Sequence, residues 1–442
     1  MKTISIILTL LLPIFSVGQS VQELDFNKNY PETKVDKKTK LKYALRFEKN
    51  GVYKVSVWQH GIDVVLKLTN SSDEQLLEKD SPNGTNGLET FSYTSNEKGK
   101  FYLSIDRLDE NGNPEQGKVS IFIKKYSKSE IEEIKTSIEP ENAKNVQTLD
   151  IDHFWEAFDH LKKCKTHSDS VATIQTLYLD RATNGLLDFI QARSFTAEKF
   201  VRQIAHYPKF YASVRKNTIE AKKSEPVIEE VFQKFSELYP NFKPFKVCFA
   251  IGLINTGGTT SNQFVLIGTE VSASTKGVDV SEFGNSAFGK VLISEGDILQ
   301  KLRNMIAHEC VHTQQITPYD KDAVFCGLLY NIMTEGFCDF IGELVVGDQI
   351  NQVAFDYGER HEKDLWVELK RELCNENSKN WLYNYFTSQE RPADLGYYVG
   401  YKIAQEYYKN ASDKRKAIAD IIEMNNPIRF LELSRYDQKP KG

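Results

Sequence analysis

The sequence predicts an α+β chain of more than one domain, in which an all-β sandwich is followed by a mainly α-helical domain with a small β-sheet. Three observations carry this expectation. Between about Leu41 and Tyr126, apolar and polar residues alternate in short runs divided by Asn, Gly and Asp, the period of half-buried strands. From Phe154 onward apolar residues recur at helical spacing. The length of 442 residues, with 40% AVILMFWYC and 26% charged, is ordinary for soluble globular chains and asks for two or three domains.

The first element is not part of the fold. Lys2 precedes an apolar run from Ile4 to Phe15, broken only by Ser5, Thr9 and Pro13, and Ser16 and Gly18 then flank Val17. Residues 1–18 therefore read as a secretory signal peptide cleaved after Gly18. At about 12 residues the run is too short to span a bilayer, and no later stretch reaches the ~18 consecutive apolar residues of a transmembrane helix. The expected product is exported, periplasmic or secreted, with no transmembrane anchor. No cysteine lies near the cleavage point, which argues against a lipid-anchored form.

The sandwich is expected over residues 24–126. Its strands are Gly51–Trp58, Val64–Leu68, Thr90–Tyr93, Lys100–Ile105 and Lys118–Ile123, each alternating in hydropathy. A Gly51-Val-Tyr53 strand, Asp63 before an apolar strand and Gly99-Lys-Phe-Tyr102 together resemble the bacterial pre-peptidase C-terminal type of sandwich. Such a module is free to hold an unknown partner. Residues 127–145, dense in Lys, Glu and Ser, suit a solvated linker or exposed helix. The remainder, 146–438, forms the helical domain. Within it Phe245–Ile251 and Gln263–Gly268 look like two strands, joined by a loop with Gly257, Gly258, Thr259 and Thr260, and Gly257-Gly258 is read as a turn.

Composition removes several classes of function. The net charge of −5 gives no electrostatic footprint for nucleic acid. The six cysteines, Cys164, Cys248, Cys310, Cys326, Cys338 and Cys374, repeat no metal or disulfide spacing, and most are expected to be small buried hydrophobes. Gly257-Gly258 is followed by no Gly-Lys-Ser/Thr, so it is not a phosphate loop, and no Gly-x-Ser-x-Gly elbow exists.

One constellation carries chemistry. His308-Glu309-Cys310-Val311-His312 matches H-E-x-x-H, a pattern expected by chance on the order of 0.01 times in a chain with this histidine content. Four helical residues rotate by about 400°, so both imidazoles share one face and can reach one tetrahedral zinc. Glu309 lies on the adjoining flank, placed to take a proton from water. Ile298, Leu299, Leu302, Met305 and Ile306 supply the apolar stripe that buries the helix.

The third ligand decides the class. Gln315 and Pro318 stand where the metzincin pattern needs Gly and His, which excludes that class. A second apolar helix from Leu328 to Leu344 carries Glu335 and Asp339 at i, i+4, on one face. Glu335 is the first choice for ligand, with Asp339 accepting the spare N–H of a ligand histidine. Glu343 and Asp339 remain the alternatives as ligand.

This pair of helices, with Thr334-Glu-Gly-Phe-Cys-Asp-Phe340 on the second, resembles the gluzincin metallopeptidases. More narrowly it is similar to a bacterial family of predicted zinc-dependent proteases related to the gliding-motility lipoprotein B proteins. Asp152–Phe158, Ala182–Leu186, Ile251–Thr259 and Leu395–Tyr401 fit the same family, so the resemblance spans about 146–408. It implies His308, His312 and Glu335 as zinc ligands, Glu309 as base and a peptide or protein substrate. The missing lipobox cysteine and the added sandwich depart from it.

Zinc peptidases also need a donor for the oxyanion. Leu395, Val399 and Ile403 would face the core, leaving Tyr397, the first choice, and Tyr401, the second, on another face. The expected function is an exported zinc metallopeptidase. The rival is a non-catalytic envelope-assembly or binding protein with a structural or vestigial zinc site, against which the intact Glu309 argues. An extended substrate is expected to pair with the edge of the strand Gln263–Gly268.

Overall fold

Eight strands in the N-terminal part build two four-stranded antiparallel sheets in the computed structural model, which describes residues 21–438 apart from 81–84, 86–87, 110–111, 262, 294, 316–325, 386 and 389–390. The expected signal peptide, 1–18, lies outside the described residues. The strands are β1 (Asn29–Asp36), β2 (Leu41–Phe47), β3 (Val52–His60), β4 (Val64–Thr69), β5 (Gln75–Lys79), β6 (Leu88–Thr94), β7 (Gly99–Arg107) and β8 (Gln116–Lys125). One sheet has the order β1-β8-β3-β6 and the other β2-β7-β4-β5. Their inner faces close one core in which Tyr53, Val55 and Val57 of β3 meet Leu45, Leu66 and Leu103. Phe47 stacks on Tyr53 with ring centroids 4.1 Å apart, and the Tyr53 hydroxyl accepts from the Glu48 N–H, tying the β2–β3 turn to that core. The all-β sandwich expected from alternation is thus present.

The chain divides into two compact units, Met1–Glu132 and Glu133–Gly442. The stretch read as a linker is helical over Lys128–Glu133, Ile134–Ile138 and Glu139–Ala143. Its later part is built into the second unit: the Glu141 carboxylate is buried and accepts from the backbone N–H of Thr148 (2.6 Å) and Leu149 (3.0 Å), and Glu133 pairs with Arg181. A chain beginning at Glu133 should therefore unfold cooperatively by calorimetry. One beginning at Val146 should be less stable by roughly 3–6 kcal/mol, because each of the two hydrogen bonds to this charged group contributes ~1.5–3 kcal/mol.

The second unit is helical around a small sheet. Its strands are β9 (Val146–Gln147), β10 (Lys246–Ala250), β11 (Gly258–Thr260) and β12 (Phe264–Gly268), in the order β11-β12-β10-β9. β10 runs parallel to β9 and β12, and its sequence Lys-Val-Cys-Phe-Ala, like Phe-Val-Leu-Ile-Gly in β12, is the continuous apolar run of a strand covered on both faces. β11 pairs antiparallel to β12 and forms an edge. This corrects two expectations. The strand 263–268 offers no edge, because it lies between β10 and β11, and Gly258 belongs to a strand, not a turn.

The helices that position the site are α1 (Leu149–Leu161), α2 (Asn184–Arg193), α3 (Pro208–Glu220), α4 (Ile298–His312), α5 (Gly327–Val346), α6 (Gln352–Leu369) and α7 (Leu395–Asn410). Asp297 starts α4 by accepting from Leu299 N–H and Gln300 N–H. α5 and α7 meet backbone to backbone: a Cβ at Gly400 would lie 2.0 Å from Ile332 O, and one at Gly336 would lie 2.3 Å from Tyr401 N. Cys326 and Cys374 form a disulfide that ties the start of α5 to the segment after α6, while Cys248, Cys310 and Cys338 are buried thiols. The cysteine spacing gave no sign of that bridge. Among the described residues no helix is long and apolar enough to cross a membrane.

Candidate metal centre

His308 and His312 lie one turn apart on α4, and α5 presents Glu335 to both. His308 Nε2 and His312 Nε2 are 3.1 Å apart, and Glu335 Oε2 lies 3.4 and 3.3 Å from them. Donors bound at about 2.0–2.1 Å to a tetrahedral zinc are separated by about 3.3 Å. The three atoms already stand at that separation.

The outer edges of both rings are engaged. His308 Nδ1 lies 2.8 Å from Asp339 Oδ1, and His312 Nδ1 lies 2.9 Å from Gln315 Oε1. The Gln315 amide is oriented by its own Nε2, which donates to Thr334 O. A carboxylate and an amide oxygen each call for an N–H at Nδ1, which leaves both Nε2 lone pairs facing the Glu335 oxygen. Three electron-rich atoms converging without a donor between them are repulsive unless a cation or protons sit among them. The donor set therefore fits zinc.

The charges respond to this arrangement. Burial opposes protonation of His308, but the hydrogen bonds to Asp339 and Glu335 outweigh it and hold the imidazole well above its ordinary range. His312 is likewise raised, burial being outweighed by the Glu335 carboxylate. Burial works against the Glu335 anion, yet the two histidines pull its carboxyl well below the usual range. Burial pushes the Glu309 carboxyl up, moderated by His312 and His308.

Glu309 faces the edge strand. A Cβ at Gly258 would lie 2.4 Å from Glu309 Oε1, so only glycine lets β11 approach this closely. Tyr397 stacks on His308 with ring centroids 5.9 Å apart, and Tyr383 meets Tyr397 edge-on at 6.5 Å while donating its hydroxyl to Glu335 Oε1.

At this centre the family comparison is informative. A family model described as "Predicted Zn-dependent protease (DUF2268)" matches residues 260–426. That span contains α4, α5 and α7. No curated protein matches the chain. Among solved structures it is similar to the pre-peptidase C-terminal domain of a collagenase from Bacillus anthracis, with 19% identity, a TM-score of 0.20, and 24% of this chain and 97% of that chain covered. It is also similar to PliG of Aeromonas hydrophila, a periplasmic inhibitor of g-type lysozyme, with 9% identity, a TM-score of 0.20, and 24% and 96% covered.

The residues singled out in the sequence, His308, Glu309, His312, Glu335, Asp339 and Tyr397, come together here. The second tyrosine does not: Tyr401 packs against Phe340 and Phe355, and its hydroxyl is engaged by Glu343 and Gln405. Those contacts also turn Glu343 elsewhere. Cys338 was not anticipated near the site. Its Sγ lies 3.3 Å from His312 Nδ1, and His308, His312 and Cys338 hold ligand atoms within 4.8 Å of one another. The thiol nevertheless sits at the ring edge opposite the one facing Glu335, so it stands behind His312 and outside the Nε2 pair. Gln315 and Tyr383 were missed as well. In the sequence Gln315 stands out only as a residue that breaks the metzincin pattern, and Tyr383 sits in a loop at φ +57°, where no periodicity marks it.

Proposed function

We propose that this chain is an exported zinc-dependent metallopeptidase of gluzincin type, related to the gliding-motility lipoprotein B proteins, with a sandwich at 24–126 and a peptidase domain at 146–438 that is completed by the helical stretch from Glu133. The observation that carries the reading is the convergence of His308 Nε2, His312 Nε2 and Glu335 Oε2 within 3.4 Å, with both outer ring nitrogens engaged. Those three atoms would hold zinc. Zinc, when bound, supplies a Lewis acid that polarises the scissile carbonyl and makes water acidic. Glu309 takes the proton from the attacking water and returns it to the leaving nitrogen. The Tyr397 hydroxyl donates to the oxyanion, and Tyr383 orients Glu335. The backbone of β11, beside Glu309, pairs with an extended peptide, which gives affinity without dependence on side chains.

The test is digestion of a peptide library by the purified full-length chain, before and after chelation and after zinc is restored. Cleavage that is lost and recovered supports the reading. Metal binding without cleavage of any peptide or protein would favour the non-catalytic rival. Within this reading Asp339→Asn keeps the shape of the side chain and removes its charge. Losing such an orienting partner typically costs ~10–100-fold, so competition with a chelator should show zinc affinity lowered by about that factor, with activity reduced but present. Wild-type behaviour in both assays would contradict the role given to Asp339.

A further inference from the structure

We propose that Glu270 is a positioning residue for the chemistry at Glu309, its carboxylate clamping the loop 251–257 so that β11 lies against the base. The proposal rests on the peptidase reading above. Glu270 follows β12, is fully buried, and accepts from Gly252 N–H through Oε2 (2.7 Å) and from Ile254 N–H through Oε1 (2.9 Å). Among the described residues no cation pairs with it, and a buried charge without a counter-ion is costly. The cost is offset at a loop that leads from the central strand β10 to the edge strand β11.

That loop is held at its carbonyls too. Tyr178 OH donates to Ile251 O (2.7 Å), Tyr211 OH on α3 to Gly252 O (2.9 Å), Gln203 Nε2 to Leu253 O (2.9 Å) and Ser272 Oγ to Gly257 O (2.5 Å). Ile254 is β-branched yet sits at φ +57°, a left-handed conformation that such residues avoid unless the surroundings impose it. The strain is kept where Glu270 Oε1 holds the Ile254 N–H. Four residues later the chain reaches Gly258, where even a Cβ would meet the Glu309 side chain, so the path of this loop sets how closely β11 lies against the base. A misplacement of about 1 Å in a reacting geometry can cost ~100-fold in rate.

The titratable groups facing Glu270 are the hydroxyls of Tyr178 and Tyr211, which burial pushes well above their ordinary range and keeps neutral. Gly252 is close-packed here: a Cβ on it would lie 3.0 Å from Glu270 Oε1 and 3.3 Å from the Phe195 ring. Glu270 itself is pushed up to about 7, because burial outweighs the N–H bonds from Gly252 and Ile254 that lower it. Above that pH both N–H groups meet an anion, and charge-assisted bonds are roughly twice as strong as neutral ones. Below it one oxygen carries a proton and the clamp weakens, so kcat/KM should fall as pH drops through about 7.

The experiment uses full-length protein in two arms. Amide exchange, as protection factors at pH 6 and pH 8, should show the amides of Gly252, Ile254 and β11 less protected at pH 6, with α4 and α5 unchanged. In Glu270→Gln, whose amide offers one acceptor and brings a donor against the second N–H, zinc content should match wild type while kcat/KM falls by about 100-fold. Its pH profile should lose the ionisation near 7. Wild-type protection that is equal at both pH values overturns the clamp even if the variant fails to fold. A folded variant with the wild-type profile overturns the positioning role. Wild-type protein that cleaves no peptide, with the expected exchange pattern, overturns the peptidase reading and supports the clamp.

Discussion

Glu309→Gln should keep zinc at the wild-type level and lower kcat by ~10²–10⁴-fold, the usual contribution of a positioned acid–base group. The carboxamide is isosteric, so the close approach of Gly258 is preserved and nothing among the three proposed ligands changes. What is lost is the ability to accept a proton. Burial holds the Glu309 carboxyl above its ordinary value, with His312 and His308 opposing it. The base works as the anion, so kcat/KM should decline as pH falls through that raised value. Initial rates on a cleaved library peptide, with zinc measured on the same samples, check the effect. A variant that lost zinc along with activity would make Glu309 a ligand and not the base.

Glu335→Ala should remove more zinc affinity than the ~10–100-fold that losing an orienting partner costs. Two imidazoles on one helix remain, and neither the Tyr383 hydroxyl nor water replaces an anionic ligand. The comparison that isolates the effect is Cys338→Ser. The thiol touches the His312 edge already occupied by Gln315, so its loss should leave zinc affinity within a few-fold of wild type. Competition with a chromophoric chelator reads both. Full zinc occupancy in Glu335→Ala would transfer the third position to another carboxylate.

The features that were legible in the sequence are those with a period. The apolar stripe of α4 buries Leu302 and Ile306, and the i, i+4 spacing on α5 brings both Glu335 and Asp339 to His308. Strands β3, β4, β6, β7 and β8 alternate and were expected. β1, with Asn-Tyr-Pro-Glu-Thr-Lys-Val-Asp, is too exposed to alternate, and β5 is an exposed edge. β11 is only Gly-Thr-Thr, half-buried throughout, and an edge strand that short has no hydrophobic pattern. Its role comes from what packs beside it. Gln315 and Tyr383 likewise gain their contacts from tertiary packing, through Thr334 O in one case and Glu335 in the other. A buried carboxylate such as Glu270 shows nothing in sequence until the loop it holds is in place.

Zinc-edge X-ray absorption on full-length protein carrying one equivalent of zinc tests the proposed centre most directly. The expected spectrum contains only nitrogen and oxygen scatterers at about 2.0–2.1 Å, with imidazole signatures that halve in His308→Ala. A sulfur scatterer at about 2.3 Å would bring Cys338 into the ligand set, and protein that takes up no zinc at all would contradict the assignment of His308, His312 and Glu335.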